Sequence, residues 1–155
     1  MAEDRLSAPK PQEEHHRLAA FAGEWTGEEV VYPSRWDKGG PATARVSARI
    51  DLNGFYLIQD TRQEREGKES FATHGVLTYD REDRLYKLFW FDSLGYYPPA
   101  PASGGWQGKR LVLVRGSLRG NARHIYEMID DDSYSMKIQY SPDAEGWADV
   151  LTGVY

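Results

Sequence analysis

The chain contains no cysteine. Thiol catalysis, thiolate metal sites and disulfide staples are therefore excluded. It also has no apolar run near the ~18 residues that a membrane-crossing helix needs. The opening residues, MAEDRLSAPKPQEEHH, lack the apolar stretch of a secretory signal. Together these predict a cytoplasmic protein with no membrane partner. Positive charge is in deficit: 19 Lys and Arg stand against 24 Asp and Glu, for a net charge of −5. That argues against a nucleic acid or an anionic surface as the main partner. No GxSxG, GxGxxG, P-loop or HExxH pattern occurs.

What is present points to strands. Aromatic residues make up 13% of the 155, and there are 15 glycines. Aromatics favour strands, while Gly, Asn and Asp punctuate turns. Residues 1–12 are polar with two prolines and are expected to form a flexible tail. Residues 13–155 are long enough for one domain, in which about two thirds of the surface is buried. The segment 13–22, EEHHRLAAFA, predicts one short helix, with Leu18 and Phe21 sharing a face and Gly23 ending it. His15 and His16 are expected to be solvent-exposed on that helix.

The rest falls into short alternating pieces. Strands are predicted over 23–32, 42–52, 55–64, 69–80, 84–93, 106–118, 121–130, 133–140 and 146–155. Asn53-Gly54 is a strong hairpin signal. Residues 94–105, with three prolines and three glycines, are expected to form no strand. Nine or ten strands joined by hairpin-length turns imply sequential antiparallel pairing. A closed up-and-down barrel removes the exposed edges of such a sheet; a sandwich is the alternative.

Several residues carry a family resemblance. GEWTGEE (23–29) after a short helix resembles the opening of calycin-type, lipocalin-like barrels. A His-containing helix before Gly23-Glu24-Trp25, then GVLTYD (75–80), FWFDS (89–93) and DDDSY (130–134), resembles a bacterial family, the domain of unknown function numbered fifteen-seventy-nine. This resemblance implies a lipocalin-like barrel and no particular activity. More distantly, Gly23, Trp25 and Gly27 are similar to the Gly-x-Trp-x-Gly-x-Gly of haem-binding nitrobindins, with Glu29 in place of the last glycine. That similarity would imply haem, with a late-strand histidine such as His124 as its ligand.

Strand alternation sorts the candidate chemistry into faces. Trp25 and Glu29 share one face of the first strand, so Glu28 and Glu29 do not form an acid–base pair. Tyr86, Trp90 and Asp92 share a face, with Trp90 and Asp92 assigned inward on the resemblance. His124, Tyr126 and Met128 share a face opposite Arg123 and Glu127. Burying that charge pair would be costly, so the His124 face is expected inside. His74 and Trp147 complete the expected interior set of Trp25, Glu29, His74, Tyr86, Trp90, Asp92, His124, Tyr126 and Trp147. An aromatic cavity with a few polar groups is the profile of a small-molecule site. The leading expectation is a binding module for a small apolar or aromatic molecule, with no catalytic residues, no metal and no required cofactor. The alternatives are a haem or metal protein, an enzyme using His and carboxylate acid–base chemistry, and a barrel filled with side chains. The doubly apolar strand LYKLFWFDS and the loop at Tyr96-Tyr97-Pro98-Pro99 predict a homodimer.

Overall fold

Ala42, Ala44, Val46 and Ala48 are buried, while Thr43, Arg45 and Ser47 between them are exposed. Small and β-branched residues on one face and charged residues on the other make this segment a strand with a single inward side. The computed structural model of the protein describes residues 6–155 and builds ten such strands. They are β1 (Gly23–Val31), β2 (Gly40–Asp51), β3 (Tyr56–Arg65), β4 (Lys68–Asp80) and β5 (Leu85–Asp92). The second half comprises β6 (Ala102–Gln107), β7 (Arg110–Ser117), β8 (Gly120–Asp130), β9 (Ser133–Ser141) and β10 (Ala148–Val154).

Each strand pairs antiparallel with its sequence neighbours, and β1 pairs with β10 from Glu28↔Val154 to Val31↔Leu151. The sheet is thus a closed up-and-down barrel, as expected, and not a sandwich. The predicted tail falls partly at residues 1–5, outside the described residues; residues 6–12 carry no helix or strand.

Two local expectations are corrected. The helix is α-helical only over α1 (Glu13–His16) and tightens into a 3₁₀ turn at Arg17–Phe21. A three-residue period places Leu18 and Phe21 one above the other, and both are buried. The second correction is β6, within a stretch expected to hold no strand and then to run straight into β7. Glycine is required there rather than tolerated, because a Cβ on Gly104 would collide with the Val112 carbonyl of β7. The two backbones meet where only hydrogen fits.

The helical segment closes the end of the barrel where β1 and β3 begin. Phe21 stacks on Trp106 at 6.2 Å and meets Tyr126 and Tyr134 edge-on at 5.7 and 5.4 Å. The Tyr86 hydroxyl donates to the Glu14 carbonyl at 2.7 Å. His15 is buried, against expectation. Its Nδ1 accepts from the Gln12 backbone N–H, and its ring meets Phe55 and Tyr79 edge-on. The aromatic wall supplies an apolar seat that helical periodicity could not reveal.

Trp25 links this plug to the wall. Its Nε1–H donates to the Phe21 carbonyl at 3.0 Å, and its ring meets Tyr134 at 4.8 Å. It is half-buried, less enclosed than expected. Trp25→Ala should lower stability by about 3 kcal/mol, and Trp25→Phe, which keeps ring packing and loses the donor, by about 1 kcal/mol. Urea unfolding measures both. A loss below about 1 kcal/mol for the alanine variant would show that the indole does not fasten the plug.

Candidate ligand site

The two ends of the barrel differ in chemistry. The plugged end is lined by Tyr86, Tyr126, Tyr134 and leucines, and the opposite end receives most of the inward polar side chains. These form two groups on facing walls.

The first group is closed on itself. Glu29 is 2% exposed on the inward face of β1, as alternation predicted. One carboxylate oxygen accepts from the Tyr155 hydroxyl, and the other accepts from Gln63 Nε2 at 2.9 Å. Gln63 Oε1 in turn accepts from Ser70 Oγ at 2.9 Å. Burial first, and then the adjacent Glu29 carboxylate, push the Tyr155 hydroxyl far above its ordinary pKa. It therefore stays protonated and donates. Gly27 and Gly153 make room for the Tyr155 ring, since a Cβ on either would collide with it. A carboxylate with both oxygens satisfied is held in place and is a poor proton acceptor for an outside molecule.

The second group is left open. Trp90 and His124 face each other at 4.8 Å. Trp90 Nε1–H donates to Asp92 Oδ2 at 3.0 Å, and Asp92 Oδ1 accepts the Leu94 backbone N–H at 3.0 Å. His124 is 3% exposed, yet its Nδ1 has no hydrogen-bond partner among the described residues. Arg115 follows Leu111 and Leu113 on the inward face of β7 and is half-buried. Burial lowers its pKa, neighbouring Arg119 lowers it further, and the Asp92 carboxylate acts in the opposite direction. Pairing of β5 with β6 extends only over Tyr86–Leu88. Above that seam Phe89–Asp92 of β5 have no β6 partner, so the sheet is unpaired along that edge, with Trp90 and Asp92 on its inward face.

The expected nine-residue cavity is therefore divided. Trp90, Asp92 and His124 come together at the open end, and Glu29 lies on the facing wall. Trp25 and Tyr86 belong to the plug, and Tyr126 packs beneath. His74 and Trp147 are corrections, because both lie on the outer wall. His74 Nδ1 is 2.6 Å from Asp60 Oδ1. Trp147 lies under the Arg123 guanidinium at 4.3 Å. Arg123 also bonds Gln139 at 2.8 Å, and Glu127 pairs with Arg110 at 3.5 Å, so that face of β8 is outward as predicted.

Space is scarce inside. The void bounded by Gln59, Thr73, Trp90, Tyr126 and Met136 measures about 20 Å³, room for one water. Small-molecule sites begin near ~300 Å³. A haem does not fit this interior: the void is too small, and Glu29 with its two partners fills the position of the missing glycine. A concavity of about 760 Å³ is bounded by Glu28, Glu29, Thr43, Glu64, Arg65 and Lys137, so it meets the first polar group at Glu29 and does not include Trp90, Asp92, Arg115 or His124. Among the described residues no three His, Asp or Glu gather as a metal site, and no helix is long and apolar enough to cross a membrane.

His124 carries a pH signature. Burial first, and then Arg115, lower its pKa from 6.5 to about 3. The unfolded chain takes up a proton below pH 6.5 and the folded chain does not. This stability is thus complete above pH 6.5 and is lost as pH falls toward 3, by up to ~1.4 kcal/mol per pH unit. His15, also lowered by burial, acts in the same direction. Between pH 7 and pH 5 the His124→Gln variant should lose about 2 kcal/mol less than the parent. Urea midpoints at the two pH values measure it, and equal losses would mean that His124 titrates normally in the fold.

A search of the curated proteins finds no match. Among solved structures, the crystal structure of Rv2717c from M. tuberculosis is similar, with a TM-score of 0.70 and 15% identity. The alignment covers 92% of this chain and 96% of that one, a likeness of fold. The family model described as protein of unknown function (DUF1579) matches residues 10–155, and the chain belongs to that family.

Proposed function

We propose that this barrel is a small-molecule-binding module whose site is the open end beside the β5–β6 seam. The observation that carries this reading is the unpartnered Nδ1 of buried His124, set against the Trp90 ring. An unmet polar group inside a fold costs about 1–3 kcal/mol, and a ligand that supplies its partner recovers that cost. Trp90 offers a flat apolar face beside it, suited to an aromatic or other planar molecule. The filled interior sets the size: the body of the ligand rests in the opening and does not descend into the barrel. A binding role accounts for the site better than catalysis, because both Glu29 oxygens and both Asp92 oxygens are already engaged.

Calorimetric titration with 1-naphthamide, a neutral two-ring probe, tests the location. Trp90→Ala should weaken binding about tenfold, the equivalent of one ring contact. Trp147→Ala should leave it unchanged, because Trp147 is on the outer wall. Equal effects from the two variants, or no binding by the parent, would remove the site from the opening.

We further infer a second copy of the chain as partner, docking on the outer face of β5. Leu85, Phe89 and Phe91 there are 37%, 36% and 43% exposed, an apolar strip broken only by Lys87 on the same face. Light scattering at tens of micromolar should give twice the monomer mass, and Phe91→Lys should restore the monomer (an ordinary assay concentration). A parent that scatters as a monomer would overturn the dimer.

A further inference from the structure

We infer that the open end receives an aromatic acid, with Arg115 as the anchor for its carboxylate. This rests on the proposed site and adds the charge of its ligand. Arg115 points inward from β7, half-buried, without a hydrogen bond or ion pair to any described residue. A half-buried guanidinium with no protein partner keeps its N–H donors free for an incoming acceptor.

The nearby acid does not answer that need. Asp92 Oδ2 is taken by Trp90 Nε1, and Asp92 Oδ1 by the Leu94 backbone N–H. Its carboxylate is thus turned toward its own strand and the loop that follows. The turn after β7 carries a second cation, Arg119, whose guanidinium lies over the Tyr96 ring at 4.6 Å. Arg115 is thus flanked by a like charge, and the Asp92 carboxylate, which offsets this in part, is hydrogen-bonded to other groups. An incoming anion relieves both the missing partner and the mutual repulsion.

Geometry narrows the anion. A guanidinium presents two parallel N–H groups that match the two oxygens of a carboxylate. Trp90 and Tyr96 supply flat faces at the same opening, so the group bearing the carboxylate is planar. His124 Nδ1, buried and unpartnered, offers one further polar contact. The 20 Å³ void below Trp90 excludes a long chain reaching into the barrel, which separates a compact ring acid from a fatty acid.

The test compares 1-naphthoate with 1-naphthamide by calorimetry, two probes of one shape that differ in charge. The parent should bind the acid about tenfold more tightly than the amide. Arg115→Gln should abolish that preference while leaving the amide affinity in place, and Arg115→Lys should keep part of it. Equal affinities in the parent would overturn the carboxylate anchor and leave the proposed site standing. Binding of neither probe would overturn both. A preference that survives in Arg115→Gln would take the anchor away from Arg115. Decanoate binding as tightly as 1-naphthoate would overturn the ring requirement, and inorganic phosphate displacing 1-naphthoate at equal concentration would overturn the carboxylate class. The parent comparison needs no variant, so the inference remains exposed even if a substitution impairs folding.

Discussion

A polar side chain that points into a closed barrel has few possible partners. Most backbone donors and acceptors of the wall are used in the ladder, and water is excluded wherever side chains fill the interior. Inward polar groups must therefore bond to each other, to a plug, or to something that arrives. The first two outcomes are present here. Glu29, Gln63 and Tyr155 satisfy each other across β1, β3 and the end of β10. Tyr86 and Trp25 reach carbonyls of the helical plug. His124 Nδ1, Trp106 Nε1 and Arg65 Nε are buried with neither, and Arg115 makes no hydrogen bond to a described residue.

The same closure explains why the two ends differ. At the plugged end, Phe21, Tyr126 and Tyr134 interlock as rings within about 6 Å of each other, a density that leaves no passage. Toward the other end β5 runs past its three pairs with β6, and Phe89–Asp92 have no partner on that side. β6 is short and glycine-rich because its backbone runs against the Val112 carbonyl. Such a strand cannot contribute side chains to the interior at Gly104.

Alternation made much of this legible from sequence. Buried and exposed residues follow a strict period of two in β2, and Tyr86, Leu88, Trp90 and Asp92 fall on one face of β5 as their spacing required. The charge-burial argument placed His124 and Tyr126 inside and Arg123 and Glu127 outside. Where the argument ran on composition instead of period, it erred. His74 lies mid-strand like His124, but one position off the inward phase set by Thr73, Gly75 and Leu77. Trp147 precedes β10 and covers an outer arginine. Arg115 was missed because Leu111, Val112, Leu113 and Val114 are apolar on both faces. Only the register with β8 shows which side of β7 is inward. Glycines in β6 read as a break, since a sequence does not reveal how near the next backbone passes.

Glu29 shows how one side chain can redirect a barrel. In a haem-type first strand its position would be glycine, and the space would belong to a ligand. Here a carboxylate fills it, and a tyrosine folded between Gly27 and Gly153 completes its bonds. Removing Glu29 would not simply open a cavity. It would strand the Gln63 amide and the Tyr155 hydroxyl, each of which would need a new partner in a wall with no free ones. This part of the interior is thus committed to internal bonding as a unit, and incomplete bonding is confined to other positions. On this fold the residues to compare between relatives are therefore those at 90, 115 and 124. The pair at 29 and 155 decides whether the interior is occupied by the protein itself.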